Sequence, residues 1–180
     1  MEWLKLKEIQ IATGVSRNFL DPLLVMITSL AENNKSENII FNIFHEDFLN
    51  DDINKVKIKI SKYDNIKLKF FEILEDMVRD LPLTQHFRIA TYFRILSPVL
   101  LPKEDKLIYL DTDIIIDGSI RELWEVDITD YTLAAVREEA VLALDKRLKM
   151  PSNYKYFNAG IVLLNLKRIR EEDKFEKVFL

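Results

Sequence analysis

The stretch Lys106-Leu107-Ile108-Tyr109-Leu110-Asp111-Thr112-Asp113-Ile114-Ile115-Ile116-Asp117-Gly118 decides how the rest of the chain is read. It opens as a short apolar run of the kind that a strand buried on both faces requires. Two carboxylates then follow, two residues apart. Side chains alternate along a strand, so if the extended geometry persists Asp111 and Asp113 project to the same side. Like charges that close repel each other unless a cation lies between them. A divalent ion is the economical answer: hard oxygen ligands suit Mn²⁺ or Mg²⁺, which keep positions open for substrate phosphates. The plainer alternative is a solvated strand end with incidental acids.

Two further readings of the acids compete. An EF-hand loop needs Asp or Asn at its fifth position and Gly at its sixth, where this chain has Ile115 and Ile116. A haloacid-dehalogenase-type phosphatase is the better rival. The stretch resembles that family's apolar strand ending in Asp-x-Asp, with the first Asp as nucleophile. In that family, however, the strand usually opens the domain and a Thr or Val follows two residues after the second Asp. Here the strand lies past residue 100 and that position holds Ile115.

The whole chain narrows the classes. Its 180 residues suit one domain, 1–180, with length enough for a full core. The apolar fraction of 48% and charged fraction of 31% are those of an ordinary soluble protein. A net charge of −4 offers no basic field for nucleic acid. Cysteine is absent, which excludes disulfides and thiolate metal sites. No apolar run approaches the roughly eighteen residues of a transmembrane segment. The start, Met1-Glu2-Trp3-Leu4-Lys5-Leu6-Lys7, lacks the long apolar region of a secretory signal. The expected location is cytoplasmic, and a peripheral contact with the inner face of the membrane is compatible with it.

Outward from the central stretch, apolar strands alternate with helices. Residues 8–13 read as a first strand ended by Gly14, where the backbone needs positive φ or room for a ligand. Asn18 reads as the N-cap of a helix over 19–31, with Pro22 tolerated in its first turn. Asn33-Asn34 marks its stop. Residues 38–45 read as a second strand. Residues 50–63 fit either a strand or a helix with Asn50 or Asp51 as its cap, and the helix is preferred because it provides a crossover between parallel strands. Ile66, Leu68 and Phe70 alternate with lysines, as in a strand near a sheet edge. Residues 84–96 read as a helix closed by Ser97-Pro98. Ser119 caps a short helix through 124. Residues 132–136 and 157–166 read as strands, 138–149 and 167–180 as helices. This alternation implies an α/β fold with a mostly parallel sheet covered by helices on both faces, and ligands then bind outside the carboxyl ends of the strands. Gly14, His45 and the Asp pair fall at such ends. The three glycines, Gly14, Gly118 and Gly160, all sit beside candidate site segments, as if these approached one ligand.

With the strand placed, its surroundings carry a resemblance. Arg88-Ile89-Ala90-Thr91-Tyr92-Phe93-Arg94-Ile95-Leu96, then Leu100-Leu101-Pro102, the acidic stretch, Leu123-Trp124 and Tyr156-Phe157-Asn158-Ala159-Gly160-Ile161-Val162-Leu163-Leu164-Asn165-Leu166 together resemble glycosyltransferase family 8. The similarity is closest to the bacterial lipopolysaccharide and lipooligosaccharide galactosyl- and glucosyltransferases. It implies a nucleotide-diphospho-sugar transferase fold of the type called GT-A. It also implies Mn²⁺ (or Mg²⁺), a UDP-galactose or UDP-glucose donor, a glycan acceptor and retention of anomeric configuration. The phosphatase becomes a distant second.

Residue by residue, the resemblance makes Asp111 and Asp113 the metal ligands. Asp111 also faces the donor sugar and ribose, and Thr112 offers backbone contacts to the nucleotide. Arg94 matches an arginine near the donor sugar; equally, it neutralises the acid pair. Asn158, Ala159 and Gly160 match a segment lining the donor-sugar pocket, the alternative being a strand entry that needs small residues. Glu138 stands where the family usually has a sugar-contacting Asp, or is an ordinary acid at a helix start. His86 matches a histidine near the acceptor, or is an exposed helix-start histidine. Ala12 and Thr13 lead into the nucleotide-binding turn. There the family's Asp-Asp-Asn-Tyr is replaced by Ser16-Arg17-Asn18-Phe19. Asn18 is kept, and Ser16 accepts a hydrogen bond more weakly than a carboxylate does. Members of the family run on for roughly another hundred residues, comparable to a small domain. That part contributes a metal-binding histidine, an Asp-Gln-Asp segment and much of the acceptor site. The expectation is therefore a domain lacking the family's C-terminal part, whether as a fragment, a shortened gene product or a degenerate relative.

Overall fold

The structure, a computed structural model, describes residues 8–79, 89–137 and 156–172. In chain order the elements are β1 (Ile9–Val15), a 3-10 turn (Arg17–Phe19), α1 (Leu20–Asn33), β2 (Ile39–His45), α2 (Asn50–Ile60), β3 (Ile66–Glu72) and a second 3-10 turn (Glu75–Met77). There follow α3 (Ile89–Leu100), β4 (Lys106–Leu110), α4 (Ile120–Glu125), β5 (Leu133–Arg137), β6 (Phe157–Asn165) and α5 (Leu166–Glu171).

The strands form one sheet in the order β3-β2-β1-β4-β6-β5. Within it β3, β2, β1 and β4 are parallel. β6 runs antiparallel to β4, with Leu110 opposite Ile161, and β5 antiparallel to β6. The sheet is thus mixed and mostly parallel, as the alternation of elements implied. The reversal of β6 matters for the site: its amino end lies beside the carboxyl end of β4.

Both faces of the sheet are buried. On one face Ile11, Ile43, Ile108 and Leu110 share a core with Leu23, Ile27 and Leu30 of α1, Val56 of α2 and Trp124 of α4. On the other, Ala12, Phe44, Tyr109 and Val162 share a core with Phe93 and Leu96 of α3 and Leu166 of α5. Each large aliphatic side chain contributes about 1.5–3 kcal/mol through burial. β3 is an edge strand with Lys67 and Lys69 exposed, as its alternation indicated.

Several local expectations change. β1 does not end at Gly14 but pairs with β2 as far as Val15. Packing is what requires the glycine: a Cβ there would lie 2.6 Å from both the Phe93 ring and the Tyr109 hydroxyl. Asn18 does not cap α1; it lies in the 3-10 turn, and α1 begins after Phe19 without a side-chain cap. The helical reading of residues 50–63 holds over Asn50–Ile60, and neither Asn50 nor Asp51 caps the helix. The cap is Leu49, whose N–H donates to the Asp52 carboxylate at 3.0 Å. α3 is not closed by Ser97-Pro98 but runs on to Leu100. A proline in a helix interior costs about 3 kcal/mol. Here only Val99 and Leu100 follow Pro98, so it falls in the last turn rather than in the interior. Ser119 caps α4 by accepting from the Arg121 N–H at 3.3 Å. The expected helix over 138–149 and the outer parts of those over 84–96 and 167–180 lie outside the described residues.

Candidate functional site

The site grows from the end of β4. Leu107, Ile108, Tyr109 and Leu110 are all at most 1% exposed, so the apolar run holds the strand rigidly up to the first acid. Asp111 continues the ladder by one bond, its N–H donating to the Gly160 carbonyl at 2.8 Å. The chain then turns at Thr112, which is buried, and leaves Asp113 exposed.

Arg94, from α3, closes one side of this corner. Its Nη2 donates to Asp111 Oδ1 at 3.0 Å, and its Nη1 donates to the Ala159 carbonyl. The guanidinium lies over the Tyr109 ring, 5.1 Å from its centroid. The neutralising contact weighed for Arg94 is therefore present. Burial pushes the Asp111 carboxyl above its ordinary range; Arg94 opposes that shift, and the nearby Asp113 charge adds to it. Tyr109 is pushed up to about 12, chiefly by burial. Its hydroxyl accepts from the Gly14 N–H at 3.0 Å, which ties β1 to the same corner.

β6 supplies the remaining wall. Asn158 Oδ1 accepts from the Gly160 N–H at 2.8 Å, shaping the strand entry. A Cβ on Gly160 would lie 3.1 Å from that oxygen and 3.2 Å from Asp111 Oδ2. Any side chain there would crowd both atoms, so the small residue leaves Asp111 room. Beyond Arg94 an apolar groove of about 360 Å³ opens between α3, β5, β6 and α5, lined by Pro98, Leu133, Phe157, Ala159 and Val162 among others.

The β1 end is built differently. Ala12 and Thr13 are fully buried, their side chains in the core and their backbone paired with β2. Thr13 Oγ1 has no hydrogen-bond partner among the described residues. Ser16 is half-buried, while Asn18 and Phe19 are exposed on the 3-10 turn. Arg17 is held away by Asp52, Nε to Oδ2 at 2.9 Å, and its N–H donates to Asp47 at 2.8 Å.

The structure thus brings Arg94, Asp111, Asn158, Ala159 and Gly160 together. Glu138 and His86 lie outside the described residues. His45 is at a strand end but faces inward, stacked on Phe48 at 4.9 Å and only 3% exposed. Of the three glycines, Gly118 does not join the others: its carbonyl accepts from Asn34 at the carboxyl end of α1. Tyr109 escapes spacing arguments, because a tyrosine in an apolar run reads as core; a polar tip beside two acids was the available signal.

Asp111 and Asp113 can both offer oxygens to a cation. Among the described residues no group of three or more His, Cys, Asp or Glu could hold an ion. Two hard carboxylates suit Mn²⁺ or Mg²⁺ that take their other positions from water and phosphate.

Fold and site define a class first, the GT-A-type α/β domain. The backbone matches the bifunctional glycosyltransferase WbbM with a TM-score of 0.82 over 99% of this chain and 35% of that one; at 21% identity this is a likeness of fold alone. It matches the galactosyltransferase LgtC, in complex with donor and acceptor sugar analogues, with a TM-score of 0.78 at 27% identity, over 94% of this chain and 61% of that one. The model of glycosyl transferase family 8 matches residues 10–179, and the chain belongs to that family. It is 33% identical over 177 residues to a lipopolysaccharide 1,2-glucosyltransferase of Escherichia coli (strain K12), covering 94% of this chain and 51% of that protein. It is 32% identical over 165 residues to a lipopolysaccharide 1,3-galactosyltransferase of Salmonella typhimurium, covering 88% and 49%. The chain spans about half the length of these curated relatives. Family membership removes the phosphatase reading of Asp111.

Proposed function

We propose that this chain carries the donor-binding part of a hexosyltransferase. The enzyme would move galactose or glucose from a UDP-sugar to a glycan acceptor, in assembly of a cell-surface glycan such as lipopolysaccharide. The observation that carries this reading is the convergence of Arg94, Asp111 and the Asn158–Gly160 segment at the carboxyl end of β4. The matched relatives include both a glucosyl- and a galactosyltransferase, so the sugar stays open between the two.

Asp111 and Asp113 would hold Mn²⁺ (or Mg²⁺), and Gly160 leaves Asp111 Oδ2 the room to serve as a ligand. When bound, the ion supplies Lewis-acid neutralisation of the diphosphate charge. Arg94 holds Asp111 by its other oxygen, Oδ1, and so leaves Oδ2 outside that contact. Asn158, Ala159 and Gly160 line the sugar side. Ser16 and Asn18 meet the nucleoside, with backbone from Ala12, Thr13 and Thr112 beside them. Glu138 toward the sugar, His86 toward the acceptor and retention of anomeric configuration rest on the family resemblance. Among the described residues no helix is long and apolar enough to cross a membrane; action in the cytoplasm, at the inner membrane face, is part of the proposal.

Titration calorimetry of UDP with and without Mn²⁺ tests the reading. The expected result is metal-dependent binding that Asp113→Ala abolishes with the far-UV spectrum unchanged. Equal affinity in EDTA removes the metal pair from the function. The second reading is nucleotide-sugar binding without turnover. Hydrolysis of labelled UDP-glucose or UDP-galactose separates the two.

A further inference from the structure

Between Asp113 and α4 the chain forms neither helix nor strand, yet it is held firmly by the carboxyl end of α1. Ser29 Oγ accepts from the Ile116 N–H at 3.0 Å and is itself oriented by donating to the Met26 carbonyl at 2.7 Å. Asn33 Nδ2 donates to the Ile116 carbonyl at 2.8 Å. Asn34, 3% exposed, donates from Nδ2 to the Gly118 carbonyl at 3.2 Å and accepts from the Ile120 N–H at 2.8 Å.

The topology makes this anchorage consequential. α1 is the crossover between the parallel strands β1 and β2, so its carboxyl end lies level with the amino ends of the strands. Lys106, the first residue of β4, donates from Nζ to the Trp124 carbonyl at 2.6 Å and the Val126 carbonyl at 2.7 Å, which puts the end of α4 at the same level. From Asp113 to Gly118 the chain therefore descends the depth of the sheet. Five steps reach at most about 18 Å, and the four steps of β4 rise about 13 Å. The first anchor, Ile116, is three residues from Asp113, about 11 Å of chain at most, and so restricts where Asp113 can stand.

We infer that Ser29, Asn33 and Asn34 are positioning residues for Asp113, holding it within reach of the ion that Asp111 also binds. The functional half of this inference rests on the metal-pair reading above; the mechanical half does not.

The chain has no cysteine, so a nitroxide on Asp113→Cys reports the position alone. A second nitroxide on Val25→Cys, an exposed site on α1, allows the distance between the two to be measured. In the Ser29→Ala/Asn33→Ala background the label at 113 should gain mobility and the distance distribution should broaden. Ser29→Thr, which keeps the hydroxyl, should retain the parent spectrum. Without labels, the same double variant should bind Mn²⁺ in the presence of UDP about tenfold more weakly, the equivalent of about 1.4 kcal/mol. Should the double variant fold poorly, Asn33→Ala alone serves, since Asn33 is exposed. An unchanged label spectrum and distance in a folded variant overturns the inference. If the label is freed while even the parent binds no Mn²⁺ with UDP, the metal-pair reading fails and the mechanical coupling stands.

Discussion

The two ends of the candidate site are built on opposite plans. At the β4–β6–α3 corner the polar groups are held by one another: Asp111 by Arg94 and Gly160, Gly160 by Asn158, and Gly14 by Tyr109. At the β1 end, Asn18 and Phe19 stand exposed on a single 3-10 turn. The corner is organised before any ligand arrives, which lowers the cost of orienting charge at a reacting centre. The exposed tip of the turn can vary without loss of the fold.

The comparison can be broken at the corner first. Gly14→Val should be the most damaging change, because its Cβ meets both the Phe93 ring and the Tyr109 hydroxyl at 2.6 Å. A loss of about 3 kcal/mol is expected from such overpacking, read as a lower urea midpoint. A midpoint equal to that of the parent would mean that the corner yields easily and is not preorganised.

Arg94→Met should cost less, about 1–2 kcal/mol, because the pair with Asp111 is partly screened by solvent. The Asp111 side chain is 38% exposed. Thermal unfolding at neutral pH measures the loss. No change would reduce Arg94 to a surface cation.

His45 sharpens the comparison through pH. Burial lowers its pKa from 6.5, against the opposing charges of Glu72 and Asp47. The unfolded chain then binds the proton more readily than the native one, so stability is complete above about pH 6.5 and falls as pH drops below it. The slope cannot exceed about 1.4 kcal/mol per pH unit for one group. Denaturant melts between about pH 7.5 and pH 5 should show it, and His45→Phe should flatten that part of the profile. An equally steep profile in the variant would assign the effect to carboxylates.

Asn18→Ala should change stability least, within about 0.5 kcal/mol, because Asn18 caps no helix and is exposed. UDP affinity, measured on the same preparation, should nevertheless fall. A large stability loss with unchanged UDP affinity would reverse the roles assigned to the two ends.

Much of this organisation is local and can be read from residue order. The apolar run 106–110 demands burial on both faces, so it predicts an inner strand, and the acids that follow must emerge at its end. Lysines alternating with Ile66, Leu68 and Phe70 demand one wet face, and β3 is indeed the sheet edge. The preference for a helix over 50–60 rested on the need for a crossover, and that need is met. Caps were less legible. Asn18 and Asn50 look like N-caps by type, but α1 starts after Phe19 with no side-chain cap, and α2 starts after Leu49, whose N–H donates to Asp52 three residues on.

By itself, the sequence determined the strand that leads into Asp111-Thr112-Asp113, the helices that flank it and the family to which the whole order belongs, because periodicity and short motifs are properties of neighbouring residues. Only the tertiary structure decided which groups meet there. The strand 157–165 had to run antiparallel for Gly160 to lie against Asp111, and strand direction is set by pairing across the sheet, not by the strand's own residues. Gly14 shows the same division. Its sequence position suggested a turn or a ligand, whereas the space it leaves is filled by Phe93 and Tyr109, residues about 80 and 95 positions away that only the folded sheet brings to it.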